Sequence, residues 1–134
     1  EKALSFENLV VCKTRHSMVV LNKFPYNTGH VMVIPLIHCG ELDELPLEVH
    51  LDMQKLLKHS IAILKKVYGC AGFNAGINLG AVAGAGIPAH LHWHIVPRWF
   101  GDTNFFPLIA ETKALPETLE QTYKKIAPHF KGYK

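Results

Sequence analysis

The sequence predicts an α+β fold built on antiparallel strands. Three features support this: strand-like stretches joined by short turns, one long segment with helical periodicity, and a shorter helical segment near the C-terminal end. Strand runs with short connections, interrupted by a helix, are typical of α+β proteins and not of the alternating α/β class. Because the chain has 134 residues, 49% of them hydrophobic, we expect one folded domain over residues 1–134 with a sizeable core.

The N-terminal third is expected to supply three strands. Apolar and β-branched residues cluster between polar, turn-forming segments, and turn residues are mostly Gly, Pro, Asn and Asp. We therefore predict strands at residues 9–13, 17–23 and 30–34, with a turn at 14–16 and a loop at 24–29.

Two helices are expected. The longer begins at Pro46, in the first-turn position that proline favours, and ends at Gly69, a residue type that commonly terminates helices. Its apolar residues recur with a period of about 3.6, at Met53, Leu57, Ile61, Leu64 and Val67. The shorter helix spans residues 115–126, with Pro116 at its start, acidic residues early and lysines late, as the helix dipole prefers.

A strand and a small-residue loop come next. Residues 73–79 have a strand pattern, with Asn78 near the end of the strand. Residues 80–88 are small or apolar and include three glycines. Glycines allow backbone N–H groups to approach a phosphate closely. The loop lacks both the lysine of a Walker motif and the glycine spacing of a dinucleotide-binding fingerprint.

Residues 90–98 are expected to form the last strand. Histidines alternate there with large apolar residues, in the order His90, Leu91, His92, Trp93, His94 and Ile95. On a strand this spacing places three imidazoles on one face, whereas on a helix they would scatter. The alternative interpretation is a set of surface histidines on a half-exposed strand.

Three imidazoles in a row suggest either a metal site or a substrate site. The outer pair on a strand would lie ~13 Å apart at Cα, too far to share one zinc ion. Two neighbouring histidines could still bind a metal with a ligand from elsewhere. An extended anionic substrate fits the row better, because imidazole can donate, accept or attack near neutral pH.

Composition excludes several other classes of function. The net charge of +3 is too small and dispersed to indicate a nucleic-acid partner. No apolar run approaches the ~20 residues that span a bilayer, and the N-terminus lacks a signal-peptide pattern. The odd number of widely spaced cysteines, Cys12, Cys39 and Cys70, predicts reduced thiols in a cytoplasmic protein.

The motif His90-x-His92-x-His94 followed by Ile-Val-Pro-Arg98 resembles the signature of the histidine triad (HIT) family of nucleotide hydrolases and transferases. Residues 22–35 resemble the family's upstream strand-turn-strand. Residues 99–105 resemble its bacterial branch, which includes diadenosine tetraphosphate phosphorylases and hydrolases. The resemblance covers nearly the whole chain. It implies a five-stranded antiparallel sheet with one long helix and a short C-terminal helix, paired into a homodimer.

The resemblance also implies a role for each site residue. His92 would attack the α-phosphorus and His94 would hold the bridging oxygen, while a main-chain carbonyl near His90 would orient the nucleophile. Nucleotide binding would fall to Asn22 at the ribose, Val20 and Met32 at the base, His30 beside the nucleotide, and Asn78, Ala85, Gly86 and Ile87 at the phosphates. Strand alternation independently places Val20 with Asn22, and His30 with Met32, on shared faces.

These features predict an enzyme that cleaves dinucleoside polyphosphates through a nucleotidyl-histidine, without a cofactor, with water or inorganic phosphate as acceptor. The alternatives are a nucleoside phosphoramidase, a nucleotide-binding regulatory protein with incidental turnover, and a two-histidine metalloenzyme. The expected partners are a small-molecule nucleotide and a second copy of the chain, with neither nucleic acid nor membrane.

One departure from the family pattern concerns zinc. Many bacterial relatives carry an N-terminal Cys-x-x-Cys pair that binds structural zinc with two histidines, one near His38. Neither that pair nor the Trp- and Pro-rich extension of the branch occurs in this sequence. We therefore expect no metal, provided that Glu1 is the natural start.

Overall fold

The computed structural model describes residues 7–102 and 117–133. Within these ranges the regular elements are β1 Val10–Lys13, β2 Ser17–Leu21, β3 Val31–Pro35, α1 Leu47–Tyr68, β4 Gly72–Ile77, β5 Trp93–Arg98 and α2 Leu119–Phe130. Two short 3-10 turns, Leu42–Glu44 and Ala81–Ala83, precede α1 and β5.

The strands form one five-stranded sheet in the order β1-β2-β3-β5-β4. All neighbouring strands are antiparallel. This confirms the predicted α+β class and the five-stranded sheet with one long and one short helix. The order places β5 between β3 and β4, so His94 lies in the interior of the sheet and not at an edge.

One face of the sheet is covered by α1 and carries the core. Leu56 and Leu64 of α1 pack with Val19, Val33 and Ile95 of the strands, and all five side chains are fully buried. Burying each such side chain contributes ~1.5–3 kcal/mol relative to leaving it in water. This packing sets the register of the strands, because a slip by one residue would move the apolar set to the other face.

The opposite face of the sheet carries the site. Register places Val20 beside Met32, Met32 beside His94, and His94 beside Gly76. Because side chains of paired residues point to the same side, these four positions form a row across β2, β3, β5 and β4. His94 therefore lies between the apolar side chain of Met32 on β3 and Gly76 on β4, which has no side chain.

The helices agree with the prediction at α1 and differ at α2. Pro46 is the N-cap residue of α1, and Gly69 ends the helix in the left-handed conformation at φ 57°. Helix α2 begins at Leu119, after a capping box in which Thr118 and Gln121 bond reciprocally. The predicted span of 115–126 was therefore shifted, and residues 115 and 116 lie outside the described residues. No described helix is long and apolar enough to cross a bilayer.

Four of the five predicted strands were slightly too long, and the third was displaced by one residue. The difference matters most at β5. The His90 N–H donates to the Ile87 carbonyl at 3.1 Å, and the Leu91 N–H donates to the Cys39 carbonyl at 2.7 Å. These loop bonds hold the chain before the sheet ladder begins at Trp93. The placement of all three histidines on one regular strand was therefore wrong, because His90 and His92 precede β5. Asn22, His30 and Asn78 likewise lie just outside β2, β3 and β4.

Candidate active site

A cavity of about 770 Å³ opens on the sheet face away from α1. Its size is typical of pockets that bind small ligands. The lining includes six residues that the sequence assigned to binding or chemistry, namely Val20, Asn22, Met32, Ile87, His90 and His92. Met18 and Ile34 extend the apolar wall. The structure thus brings the expected base-and-ribose residues together with two histidines of the triad.

Main-chain carbonyls fix the first two histidines. His90 Nε2 lies 2.9 Å from the carbonyl oxygen of Pro35. His92 Nδ1 lies 2.9 Å from the carbonyl oxygen of His90. A carbonyl can only accept, so each of these ring nitrogens carries the proton and donates. With its proton on Nδ1, the uncharged form of His92 has its lone pair on Nε2, and the residue lines the cavity.

The third histidine is fixed by a fourth imidazole. His94 Nδ1 lies 2.9 Å from His30 Nε2, and His30 Nδ1 accepts from the Tyr26 N–H at 3.0 Å. A neutral His30 that accepts at Nδ1 must carry its proton on Nε2 and donate it to His94. His94 consequently accepts at Nδ1 and carries its own proton on Nε2. The protonation pattern of His94 is the reverse of that of His92.

Burial keeps this pair neutral. His30 is 1% exposed, and desolvation together with the nearby His94 lowers the pKa of its imidazole from 6.5 to about 4. Desolvation, and secondarily the neighbouring His92, also lowers the pKa of His94 below its usual value. Both rings are therefore uncharged near pH 7, as the tautomer assignment requires.

The structure places His30 behind His94, outside the lining of the 770 Å³ cavity, whereas its neighbour Asn22 lines that cavity. The Asn22 Oδ1 accepts from the Phe24 N–H at 2.9 Å, which identifies the other amide atom as the nitrogen. That nitrogen lies 3.4 Å from His30 Nε2, and a protonated Nε2 cannot accept its hydrogens. The Asn22 amide therefore keeps its donors for a ligand in the cavity.

A second cavity, here called the β4–β5 groove, has a volume of about 520 Å³. It is lined by His94, Asn78 and Gly76 near the triad, and by Tyr26, Asn74 and Arg98 farther along. Asn78 thus lies with His94 and not with the other predicted binding residues. Within residues 7–102 and 117–133, its amide nitrogen makes one hydrogen-bond contact, a long one of 3.5 Å with the Gly84 carbonyl.

The small-residue loop is only partly available to a phosphate. The Ala85 N–H donates to the Gly80 carbonyl at 3.2 Å, so this amide already has an acceptor. Among the described backbone hydrogen bonds, none is donated by the N–H of Gly86 or of Ile87. These two amides lie on the approach to His90 and are among the loop donors that remain for an anion.

An ion-pair network closes the far end of the β4–β5 groove. Arg98 donates from Nε and Nη2 to the two carboxylate oxygens of Asp102 at 2.7 and 2.8 Å. Asp102 also accepts from Asn27 Nδ2 at 2.8 Å and from the Trp99 N–H at 3.0 Å. The hydrogen bonds from Arg98, with smaller contributions from Trp99 and Asn27, hold the pKa of the Asp102 carboxyl well below its usual range.

Sequence reasoning missed Asn27, Asp102 and the role of Tyr26. Asn27 is 5% exposed and also donates to the Pro97 carbonyl at 2.9 Å, so it joins the 24–29 loop to the end of β5. An asparagine in a turn normally serves its own backbone, and no local pattern distinguishes one that bonds 70 residues away. Arg98 and Asp102 are four residues apart, but they lie in a turn, where that spacing has no helical meaning.

The described residues contain no group of three or more His, Cys, Asp or Glu side chains arranged to hold a metal ion. The three cysteines are free. Burial, and secondarily Asp52, raises the pKa of the Cys12 thiol to about 11, which makes this thiol unreactive near neutral pH.

Comparison with known proteins agrees with this geometry. The HIT domain family model matches residues 4–101. The AP-4-A phosphorylase of Mycobacterium tuberculosis is 40% identical over 121 residues, which cover 90% of this chain and 62% of that protein. The chain therefore spans less than two thirds of the length of this relative.

Two further similarities are informative. An asymmetrical bis(5′-nucleosyl)-tetraphosphatase of Schizosaccharomyces pombe is 33% identical over 89 residues, or 66% of this chain and 48% of that protein. The solved structure of a hypothetical histidine triad nucleotide-binding protein from Sulfolobus tokodaii superposes with a TM-score of 0.75 at 28% identity, covering 91% of this chain and 83% of that one.

Proposed function

The chain belongs to the HIT domain family, and we propose that it is an enzyme that cleaves dinucleoside polyphosphates such as diadenosine tetraphosphate. Cleavage takes place at the α-phosphate, and His92 carries the nucleotidyl group between two steps. Inorganic phosphate or water then releases the nucleotide. The relatives described above carry the names of a phosphorylase and a tetraphosphatase of this substrate class.

The proposal rests on one observation: His92 holds its proton on Nδ1, whereas His94 holds its proton on Nε2. His92 donates through Nδ1 to a main-chain carbonyl, which leaves Nε2 as a nucleophilic lone pair. His94 accepts through Nδ1 from His30, which leaves Nε2 as a donor. The two ring centroids are 5.0 Å apart, so a nucleophile and a hydrogen-bond donor lie side by side, as transfer of a phosphoryl group requires.

The 770 Å³ cavity supports binding of one nucleoside beside these histidines. Val20 and Met32 are adjacent in the β2–β3 register and offer apolar surface to a base. The amide nitrogen of Asn22 suits a ribose hydroxyl, which can accept its hydrogen. A phosphate attached to that ribose would then reach His90, His92 and the Gly86 amide.

In the first step, His92 Nε2 attacks the α-phosphorus. A nitrogen–phosphorus bond forms, and the bond from phosphorus to the bridging oxygen breaks. The imidazolium that results keeps its Nδ1–H on the His90 carbonyl, where the positive charge strengthens the hydrogen bond. His94 Nε2–H donates to the bridging oxygen as its electron pair is released. The departing polyphosphate leaves as an oxyanion, since a terminal phosphate has a second pKa near ~6 and needs no added proton.

In the second step, the acceptor attacks the same phosphorus and the nitrogen–phosphorus bond breaks. His92 returns to its neutral form with the proton still on Nδ1. Amide donors of Gly86 and Ile87 face the developing charge on the phosphoryl oxygens, a type of contact that commonly supplies much of the rate. Phosphate as the acceptor yields adenosine diphosphate, and water yields adenosine monophosphate.

Product analysis tests the proposal. Purified protein is incubated with diadenosine tetraphosphate, with and without inorganic phosphate, and the nucleotides are separated by chromatography. Adenosine diphosphate and triphosphate formed only with phosphate identify a phosphorylase. Adenosine mono- and triphosphate formed in water identify a hydrolase. Turnover no faster than that of the His92→Ala variant would refute both and favour a nucleotide-binding role.

We also propose that the functional unit is a homodimer of single HIT domains. Strand β4 occupies an edge of the sheet, and its residues Asn74 and Ala75 are exposed. Leu47 and Leu51, on one side of α1, are 69% and 51% exposed. An open sheet edge and an apolar helical surface both favour pairing with a second copy. Three free cysteines support a reducing, cytoplasmic compartment.

A further inference from the structure

The β4–β5 groove lies on the other side of the catalytic histidines from the nucleoside cavity. His92 lines the cavity and His94 lines the groove. Within the described residues, the two linings have no member in common. The boundary between them therefore runs between two rings whose centroids are 5.0 Å apart.

The in-line geometry of the proposed reaction predicts which part of the substrate lies in the β4–β5 groove. In phosphoryl transfer the attacking and leaving atoms lie roughly in line on opposite sides of the phosphorus. Attack by His92 comes from the cavity side. The leaving oxygen, held by His94, is then directed toward the groove. What is attached to that oxygen must occupy the space beyond His94.

Hydrogen-bond donors line this space. Asn74 Oδ1 accepts from Arg98 Nη1 at 2.6 Å, so the Asn74 amide nitrogen points away from Arg98 and is available to a ligand. The amide nitrogen of Asn78 makes a long 3.5 Å contact with the Gly84 carbonyl, which is a weak hydrogen bond. The nearby carboxylate of Asp102 is 8% exposed and faces Arg98, Asn27 and Trp99. A surface with available donors and a satisfied carboxylate suits phosphate oxygens.

An aromatic side chain lies at the same groove. The Tyr26 ring stacks on His30, with centroids 5.3 Å apart and an interplanar angle of 15°. The residue is nevertheless 68% exposed, so the other face of the ring is open. Its centroid is 6.4 Å from that of His94. An exposed aromatic face held rigidly by a buried ring offers a stacking surface for a nucleobase.

The geometry points to the β4–β5 groove as the binding site for the departing half of the substrate, a nucleoside polyphosphate, with Asn74 at its phosphates and Tyr26 at its base. This inference follows from the proposed function and adds a second recognition site to it. Substrates with a large nucleotide leaving group would use the groove. Substrates with a small leaving group would not.

Gly76 allows the groove to be blocked without disturbing the fold. It pairs with His94 across β4 and β5 and lines the groove. Among the described residues, a Cβ at Gly76 would have no atom within 4 Å beyond its two chain neighbours. Valine is also favoured in strands, so Gly76→Val should fold and project into the groove. Gly72→Val is the matched control, since Gly72 lies on the same strand and face, also has open space at its Cβ, and is outside the groove lining.

The experiment compares two substrates with the same adenosine 5′-phosphoryl group. Diadenosine tetraphosphate has a nucleotide leaving group, and adenosine 5′-phosphorimidazolide has a small neutral one. The readout is the ratio of the two kcat/KM values, after subtraction of the His92→Ala background. We expect the ratio to fall at least tenfold in Gly76→Val and in Tyr26→Ala, and to stay at the wild-type value in Gly72→Val.

Three outcomes would overturn the inference. An unchanged ratio in both groove variants, with wild-type turnover of diadenosine tetraphosphate intact, would remove the groove and leave the proposed function standing. Equal losses on both substrates would show that the substitutions act on the reacting centre and not on the leaving group. Wild-type rates at the His92→Ala level on both substrates would remove the proposed function, and the groove inference with it.

Discussion

His30 Nε2 lies 2.9 Å from His94 Nδ1, in a pair where His30 is 1% exposed. The Tyr26 amide on the far nitrogen of His30 determines which proton the pair can carry. A second proton on either ring would bring two N–H groups face to face or displace the Tyr26 amide. The pair is therefore built to remain neutral, and its neutral form determines what His94 offers to a substrate.

The first prediction concerns pH. The pKa of His30 is about 4 in the folded protein, whereas an unperturbed histidine side chain has a pKa of 6.5. Between these values the unfolded chain binds a proton that the folded chain does not. The free energy of unfolding should therefore fall as pH decreases from 6.5 to 4, by ~3 kcal/mol from this residue, and this residue should contribute no further change at lower pH.

Urea denaturation at a pH of ~7 and a pH of ~4.5, on either side of most of this titration, measures the effect. His30→Gln, whose amide can donate to His94 without titrating, should reduce the difference between the two pH values. His129→Gln, at an exposed position of α2, should leave the difference unchanged. An identical pH dependence in wild type and His30→Gln would contradict the assignment.

The second prediction is that His92 forms the covalent bond. Substitution of His92 by Asn removes the Nε2 lone pair that attacks phosphorus in the proposed reaction, so turnover should fall by at least ~10³. Binding of adenosine monophosphate should persist, because His90, Asn22 and the cavity wall remain. Acid quenching followed by peptide mass spectrometry locates the adduct. A nucleotidyl group on His90 or His94 would show that the assignment is wrong.

A third prediction concerns Asn22. Its amide nitrogen, oriented by the Phe24 N–H, would lose a ribose hydroxyl in Asn22→Ala, at a net cost of ~1 kcal/mol. Adenosine monophosphate should therefore bind several-fold more weakly by calorimetry. The melting temperature serves as the control for folding. Unchanged affinity would exclude Asn22 from the nucleoside site.

The fourth prediction concerns Asp102, which accepts hydrogen bonds from Arg98, Asn27 and the Trp99 amide. Asp102→Ala removes one of the two acceptors through which Asn27 joins the 24–29 loop to the end of β5, the other being the Pro97 carbonyl. The Tyr26 amide should then exchange its hydrogen faster, and turnover should fall several-fold as His30 loses its fixed partner. Amide exchange by NMR and steady-state kinetics report the two effects.

Asp43→Ala is the control for this change, since Asp43 is exposed in the 3-10 turn before α1. It should alter neither measurement. If Asp102→Ala also left Tyr26 exchange unchanged, Asp102 would have no part in holding the loop.

The sequence predicted the fold better than the site geometry. Periodicity defined α1 from Pro46 to Gly69, since both ends have residue types with a strong terminal preference. Period-two alternation also placed Val20 with Asn22, and both residues line the 770 Å³ cavity. It did not place His30 with Met32 there, because His30 precedes β3 and lies against His94 outside that lining. The family resemblance supplied the sheet with five strands.

The contacts between residues far apart in the sequence could not be predicted from local sequence patterns. The triad lies partly outside β5 because the Leu91 amide bonds to the carbonyl of Cys39, 52 residues earlier, and no local pattern encodes that bond. The separation of His94 from His92 into different cavities depends on β4, whose Gly76 leaves space beside His94. The burial of His30 likewise depends on packing of the whole sheet.

Four hydrogen bonds fix the imidazoles of His90, His92, His94 and His30, and in three of them the partner is a main-chain atom: the carbonyls of Pro35 and His90 and the amide of Tyr26. A main-chain partner survives replacement of the side chain attached to it. The amide of Tyr26 selects the tautomer of His30 whatever side chain stands at position 26. Substitutions at position 26, in evolution or in the laboratory, can therefore change which leaving groups the enzyme accepts. They leave the hydrogen bond that orients His92, the nucleophile, in place.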